Sequence, residues 1–305
     1  MWLEPILMTI IVASTPLMLA AIGELVVERS GVLNLGIEGM MIMGAVCAFA
    51  VAMTTDNGFF GVVAGMLAGM AMAAIFGSLV LGLATNQVAT GLALTLFGLG
   101  LSGVIGESYV GESRSGLPRL DIPGLSDLPV IGRVLFGQDA LVYLSFAIVA
   151  GVAFFLYRTR AGLALRACGD NHDSAHSIGY PVLRIRFLAV LFGGACAGLA
   201  GAFMSLSYTP LWIKEMTAGR GWIALALVVF ASWMPWRVAL GAYLFGAITI
   251  LQFHGQAWGL GIPAQVMTAL PYLATIVVLV IISSERARAR ANTPLCLGKP
   301  FVAER

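Results

Sequence analysis

Residues Leu165–Arg186 read LRACGDNHDSAHSIGYPVLRIR. This is the longest polar interval with residues that typically start and end helices in an otherwise apolar chain. Asp170 is a good N-cap, and Asp173 three residues later approximates a capping box. Gly179 is a natural residue for the position after a helix, and the proline two residues further on prevents the helix from continuing. Arginines flank the interval on both sides. The pattern predicts a short helix, Asn171–Ile178, that lies between two membrane-crossing segments and serves as a docking element.

Composition defines the class of protein around this interval. The chain of 305 residues is 59% hydrophobic and only 10% charged, with a mean hydropathy of +0.94. Soluble domains carry about 25% charged residues, so we predict an all-α, polytopic transmembrane helical bundle. A net charge of +2 without a basic, aromatic-interleaved patch gives no reason to expect nucleic acid as a partner. The four cysteines show no CxxC spacing, so neither a disulfide framework nor a metal site is expected.

Apolar runs divide the chain into about 8–10 candidate spans within one transmembrane domain, residues 1–285. The nine runs are 5–22, 39–54, 59–84, 86–106, 140–157, 187–208, 220–235, 237–254 and 264–282. Runs 39–54 and 220–235 are short enough to be re-entrant or broken helices. Residues 107–139, rich in Gly, Pro, Ser and Asp, are predicted to form an ordered irregular loop.

Orientation follows from the basic residues. Most of the 17 Lys and Arg residues fall on one side if the spans alternate across the membrane, and cytoplasmic loops carry that excess. This places the loop 158–186 and the tail 286–305 in the cytoplasm, the loop 107–139 outside, and the N-terminus outside. If one run is re-entrant the N-terminus changes side, but the polar interval stays cytoplasmic.

A second unusual stretch is Gly23–Gly39, GELVVERSGVLNLGIEG, which carries three glutamates between two apolar runs. We predict an interfacial loop in which Glu28 and Arg29 are solvated, followed by a half-helix capped by Asn34. A broken helix whose N-terminus faces a cavity is a recurrent way to bind polar solutes in membranes. Asn34 and Glu38 are therefore candidates for a solute pathway.

Four other polar residues inside the runs complete the pathway candidates. Asn86 and Gln87 stand at a helix start, where they can cap it; Thr95 is expected to bond back to its own helix; Gln252 lies on the eighth run. No charged residue is expected deep in a span, so there is no proton or sodium relay. No P-loop is present either, so a transporter built this way takes its energy from a partner.

Two other classes of function stay open on residue chemistry. An integral-membrane enzyme acting on lipid-linked substrates would use the carboxylates of Glu24, Glu28 and Glu38, and would be active as a purified chain. A channel or ion-coupled carrier would transport without any ATPase, but no intramembrane ion pair or ring of charges supports it.

The interval Asp173-Ser174-Ala175-x3-Gly179 resembles the EAA-x3-G signature of ABC importer permeases, with Asp for Glu and Ser for the first Ala. Further stretches narrow the resemblance: Gly23–Gly39, Ala167-Cys168-Gly169-Asp170-Asn171 and Gly219-Arg220-Gly221-Trp222-Ile223-Ala224-Leu225-Ala226. Together they are similar to the branched-chain amino acid/ribose/nucleoside permease family, most of all to its nucleoside (simple-sugar) branch. The similarity extends from about residue 20 to residue 282.

The resemblance implies a function and a set of partners. Residues 171–179 would be the coupling helix that docks on an ABC ATPase, and the chain would be a non-catalytic permease subunit with no cofactor or metal of its own, ATP-Mg being bound by the ATPase. A second permease, identical or different, and an extracytoplasmic substrate-binding protein would complete an importer of nucleosides or related sugars in a bacterial cytoplasmic (inner) membrane. The ATPase-coupling residues would be Gly169, Asp170, Asn171, Asp173, Ala175 and Gly179.

Overall fold

The computed structural model describes residues 3–118, 120, 131–257 and 292–302, together with positions 263, 266–267, 269–270, 273–274 and 277. Two helices continue into a π-helical turn: Gly58–Gly77 continues into Ser78–Gly82, and Val182–Phe203 continues into Met204–Tyr208. The helices are α1 (Leu3–Arg29), α2 (Ile37–Thr55), α3 (Gly58–Gly77), α4 (Gln87–Gly106), α5 (Ile131–Phe136), α6 (Ala140–Arg158), α7 (Arg160–Asp170), α8 (His172–Ser177), α9 (Val182–Phe203), α10 (Arg220–Phe230) and α11 (Pro235–Ala257).

Seven of the described helices are long and apolar enough to cross a membrane, which confirms the predicted all-α bundle. The spans are Glu4–Arg29, Ile37–Thr55, Gly58–Gly82, Gln87–Tyr109, Ala140–Arg158, Val182–Tyr208 and Pro235–Phe253. Helix α10 has 11 residues and rises about 16 Å, which is half the thickness of a bilayer core. The predicted span 264–282 lies largely outside the described residues, as do parts of the predicted loop 107–139 and tail 286–305.

Helices α2, α3 and α9 form the tightest part of the bundle because glycines bring their backbones together. A Cβ at Gly69 would lie 2.2 Å from the carbonyl oxygen of Gly194, and one at Gly198 would lie 2.2 Å from that of Gly65. No side chain fits at either distance. Since lipid provides no hydrophobic drive between helices, this close van der Waals contact is what holds them together.

The bundle has two ends, which we name by what lies there. At the tail end, residues 292–302 lie beside the end of α1, where Gly298 N donates to Gly31 O at 3.1 Å. At the loop end, the connection after α4 lies on the end of α9, where Leu117 N donates to Leu206 O at 3.1 Å. Helices α7 and α8 lie at the tail end.

Two segments start helices inside the bundle instead of at its ends. The chain between α1 and α2 turns back inward, since the hydroxyl of Thr95, about 12 Å along α4 from its first residue, donates to Leu35 O at 3.0 Å. Helix α10 begins beside Glu38 in the first turn of α2, and it ends near Trp233 at the tail end. Both segments adjoin the runs that the sequence indicates as re-entrant or broken.

The predicted interfacial loop is helical and buried over its first part. Helix α1 continues to Arg29, and the exposed fractions of Glu24, Glu28 and Arg29 are 0%, 0% and 6%. The prediction that Glu28 and Arg29 are solvated is wrong. The reason is a distant partner: Arg29 donates to Trp233 O at 3.0 Å, and the Trp233 indole donates to the Glu28 carboxylate. Hydrogen bonds of this kind make buried charge tolerable.

Candidate functional site

The polar interval folds as two helices joined at one residue. Helix α7 ends at Asp170, and Asn171 caps α8 by accepting a hydrogen bond from Ser174 N at 3.0 Å. Asp170 is therefore not the N-cap as predicted, because Asn171 holds the extended conformation that this position needs (φ −152°, ψ 96°). After α8, Gly179 adopts the left-handed conformation (φ 93°) expected of the residue that follows a helix.

The six predicted coupling residues lie together at the tail end, two of them buried. Gly169 packs on the end of α1 so closely that a Cβ would lie 2.1 Å from Arg29 O. Ala175 is 2% exposed and faces inward from α8. The other four are exposed: Asp170, Asn171, Asp173 and Gly179. The site thus has a buried face that seats α8 and a polar face directed away from the bundle.

A single guanidinium, that of Arg186 in the first turns of α9, joins the segments around α8. It is fully buried and donates from Nε to Ser30 O (3.0 Å) and from one terminal nitrogen to Cys168 O (3.3 Å). The other terminal nitrogen donates to Lys299 O at 3.3 Å. Because its partners are carbonyls on the loop after α1, on α7 and on the tail, Arg186 fixes three segments relative to α9.

The same guanidinium favours one tautomer and the neutral form of the ring of His172, the first residue of α8. A terminal nitrogen of Arg186 lies 3.0 Å from His172 Nδ1. Arginine only donates, so we assign Nδ1 as the acceptor and the ring proton to Nε2. Burial and the charge of Arg186 lower the pKa of His172 from its usual value of 6.5, while Asp173 opposes them. A neutral ring is what this contact requires.

Deeper in the bundle, Glu38 holds the start of α10. Its Oε1 accepts from the Thr217 hydroxyl and from Gly219 N (2.9 Å), and its Oε2 accepts from Gly221 N (2.6 Å). The carboxylate is 4% exposed and lies at a helix N-terminus, where the unpaired N–H groups and the helix dipole favour a negative charge. A Cβ at Gly221 would lie 2.7 Å from Glu38 Cα, so only glycine allows this approach.

Asn34 braces the loop that leads into α2. Its Nδ2 donates to Glu24 at 3.3 Å, and its Oδ1 accepts from Gly36 N at 3.0 Å. The N-cap position of α2 is Gly36, so the prediction that Asn34 caps this helix is wrong. The asparagine is completely buried and instead fixes the turn before the helix against α1.

The remaining pathway candidates lie on α4 and α11. Asn86 caps α4 through Ala89 N (3.0 Å), and Gln252 is buried on α11. Thr95 bonds to the loop before α2 and not to its own helix, contrary to expectation. Gln87 differs from the rest: its Oε1 accepts from Leu33 N at 2.8 Å, while its buried Nε2 has no hydrogen-bond partner.

Sequence reasoning missed the part played by Arg186, which it treated as one of several flanking arginines. A signal for it exists. Arg186 shares a helical face with Val182, Ala189, Val190 and Gly193, all buried, whereas Arg184 points away and is exposed. An arginine within an apolar stripe predicts a buried, multiply bonded guanidinium.

Membrane-length apolar helices, with two further helices that start inside the bundle, define a multi-pass membrane protein. Residues 6–282 match the family described as branched-chain amino acid transport system / permease component, and the chain belongs to that family. It is 42% identical to a putative glucose ABC transporter permease protein of Haloferax volcanii, over 93% of each chain. It is 31% identical to a nucleoside ABC transporter permease protein of Lactococcus lactis subsp. cremoris (95% of this chain, 96% of the other) and 29% identical to a guanosine ABC transporter permease protein of Bacillus subtilis (96% and 94%).

The protein is therefore an ABC transporter permease subunit and is not itself catalytic. Its family normally binds no cofactor, and an ABC permease in general works with an ATPase and a binding protein. The resemblance inferred from the sequence motifs is confirmed. The stretches that carry it are in contact: Gly169 packs on Arg29, and Gly221 packs on Glu38.

Proposed function

We propose that this chain is a membrane-spanning permease subunit of an ATP-driven importer for simple sugars or nucleosides, with α8 as the helix that docks on the ATPase. The observation that carries the proposal is the construction of α8: a short helix capped at both ends, seated through Gly169 and Ala175, with its polar face free. Ile178, which directly follows α8, is 72% exposed and is available for contact with another protein.

The proposed orientation puts the tail end in the cytoplasm of a cell bounded by a cytoplasmic (inner) membrane. There the ATPase would meet α8, a second permease would complete the pathway, and a binding protein would deliver solute at the loop end. Closure of the ATPase on ATP would move α8, and the bundle would alternate between its outward and inward openings.

The proposed solute is a neutral polyol, either a simple sugar or a nucleoside. Two observations support it. Relatives similar over more than 90% of the chain are described as glucose, nucleoside and guanosine permeases. The carboxylates of Glu24, Glu28 and Glu38 all accept hydrogen bonds from the protein itself. Uptake of labelled glucose, challenged in turn with unlabelled glucose and guanosine, distinguishes the two solutes.

Reversing the charge of Asp173 tests the docking. This side chain is 81% exposed in the first turn of α8, and Asp173→Lys would reverse a charge that the ATPase meets on docking. We expect the amount of ATPase that co-purifies with the permease to fall at least about tenfold, with membrane insertion unchanged. Glu112→Lys, the same change at an exposed site of the loop end, is the control. Normal ATPase binding by Asp173→Lys would contradict the proposal that α8 docks on the ATPase.

Gln87 is the pathway candidate that the contacts favour, because its amide donor is buried and unpartnered. Gln87→Glu keeps the oxygen that accepts from Leu33 N and replaces the NH2 donor by a negatively charged oxygen that only accepts. If the donor binds solute, we expect the KM of uptake to rise at least about five- to tenfold, since at least one hydrogen bond is lost, at an unchanged protein level. Asn86→Ser, which retains a capping side chain one residue earlier, should transport normally. An unchanged KM for Gln87→Glu would take this residue out of the pathway.

A further inference from the structure

Residues 292–302 return to the tail end and bind there through their own backbone. Cys296 N donates to Gly169 O at 2.9 Å, and Gly298 N donates to Gly31 O at 3.1 Å. The two acceptors belong to the end of α7 and to the turn after α1. A segment close to the C-terminus thus bridges the helix that precedes α8 and the first helix of the bundle.

The two buried arginines of the tail end hold the same segment from the other side. Arg29 donates from one terminal nitrogen to Asn292 O at 3.0 Å, and Arg186 donates to Lys299 O at 3.3 Å. Each guanidinium bonds the bundle at the same time, Arg29 at Trp233 O and Arg186 at Ser30 O. The segment is therefore attached at both of its ends to groups that also order the transmembrane helices.

Phe301 is where the segment reaches α8. Its ring centroid lies 5.2 Å from that of His172 and 5.4 Å from that of His176, and the side chain is 8% exposed. It completes a small apolar cluster with Cys168 and Ala175 that is separate from the main core. The residues on either side point away, since Val302 is 70% exposed and Pro300 is also exposed.

Helix α8 needs such support because it has only 6 residues. A helix of that length does not stay folded on its own in water, so its position is set by what packs against its buried face. That face consists of His172 and Ala175. Phe301 packs on it beside Cys168 of α7 and Val182 of α9.

We propose that residues 292–302 are a positioning element of the coupling site, a clasp that fixes α8 to α1 and α9 so that its motion is passed to the transmembrane helices. The proposal rests on the proposed function of α8 as the ATPase-docking helix. Phe301 is its principal positioning residue: it lies on the buried face of α8 and leaves the face with Asp173 free for the ATPase.

The experiment uses the full permease, co-expressed with its ATPase and reconstituted in lipid vesicles. Cys296 belongs to the clasp and is 8% exposed where it bonds to the end of α7, so its rate of alkylation by N-ethylmaleimide, followed by peptide mass spectrometry, reports opening of the clasp. In Phe301→Ala the clasp should open more often, and we expect alkylation of Cys296 to accelerate about tenfold or more. A tenfold rise in the open population corresponds to a loss of about 1.4 kcal/mol of closing free energy. We also expect solute uptake per ATP hydrolysed to fall about threefold, with the ATPase still co-purifying.

Two variants make the result specific. Val302→Ala, the adjacent and exposed position, should behave as the wild type in both measurements. Phe301→Tyr, which keeps the ring between the two histidines, should restore both. The inference is overturned if Phe301→Ala leaves Cys296 as protected as in the wild type, or if it exposes Cys296 without lowering uptake per ATP. The proposed docking of α8 on the ATPase is tested separately. It is contradicted if the ATPase still co-purifies normally with Asp173→Lys.

Discussion

Replacing Glu38 by glutamine is expected to lower solute uptake by more than tenfold, roughly, while the protein still reaches the membrane. The carboxylate accepts from the Thr217 hydroxyl, Gly219 N and Gly221 N at the start of α10. An amide has one acceptor oxygen, and its NH2 group would face an N–H group. A buried N–H without a partner costs about 1–3 kcal/mol, and loss of the charge at the helix N-terminus costs about 1 kcal/mol more.

The kinetic form of the loss separates this role from direct contact with solute. If Glu38 positions α10, the maximal uptake rate falls and the KM stays close to that of the wild type, because fewer molecules complete the transport cycle. If the carboxylate binds solute, the KM rises instead. Glu107→Gln, the same change at an exposed residue after α4, is the matched control and should be silent. Normal uptake by Glu38→Gln would contradict the positioning role.

The second large effect is expected from Arg186→Met. Methionine fills part of the space but leaves Ser30 O, Cys168 O and Lys299 O without their buried donor. At a cost of about 1–3 kcal/mol for each carbonyl, the variant should lose about 3 kcal/mol or more of folding free energy. For a chain of 305 residues we expect the midpoint of thermal unfolding in detergent to fall by about 5 °C or more.

Arg184→Met is the control for that experiment. It makes the same substitution two residues earlier on the same helix, at a side chain that is exposed. The positive charge lost is equal, so any general effect of charge at the tail end appears in both variants. Equal midpoints for Arg184→Met and Arg186→Met would show that the buried hydrogen bonds contribute little.

Local signals in the sequence were enough for much of the fold. The spans follow from runs of apolar residues, and the short helix in 165–186 follows from cap residues and from Gly179, whose φ of 93° suits the residue after a helix. The choice between Asp170 and Asn171 as the N-cap was not available locally, because both residue types cap well. In the structure α7 continues to Asp170, with Gly169 packed on the end of α1, and the cap of α8 is therefore Asn171.

Partners far away in the chain account for what the sequence did not reveal. Glu28 and Arg29 look like residues of a solvated loop until Trp233, 204 positions after Arg29, supplies a carbonyl and an indole. Glu38 looks like a free carboxylate in a pathway until the start of α10 encloses it. In each case the hydrogen-bond partner lies far away in the sequence and is brought close only by the tertiary fold. Periodicity and spacing within the sequence therefore cannot predict the pairing.

The polar end of α1 also bears on how the protein is made. Glu28 and Arg29 emerge from the ribosome long before Trp233; at about 5–20 residues per second, the delay for 204 residues is about 10–40 s. Asn292, the other acceptor for Arg29, comes 263 residues after it. Until Trp233 and Asn292 have been made, the first helix therefore holds charged groups whose native partners do not yet exist. Its final burial is a late event in biogenesis, because it waits for the synthesis of these partners.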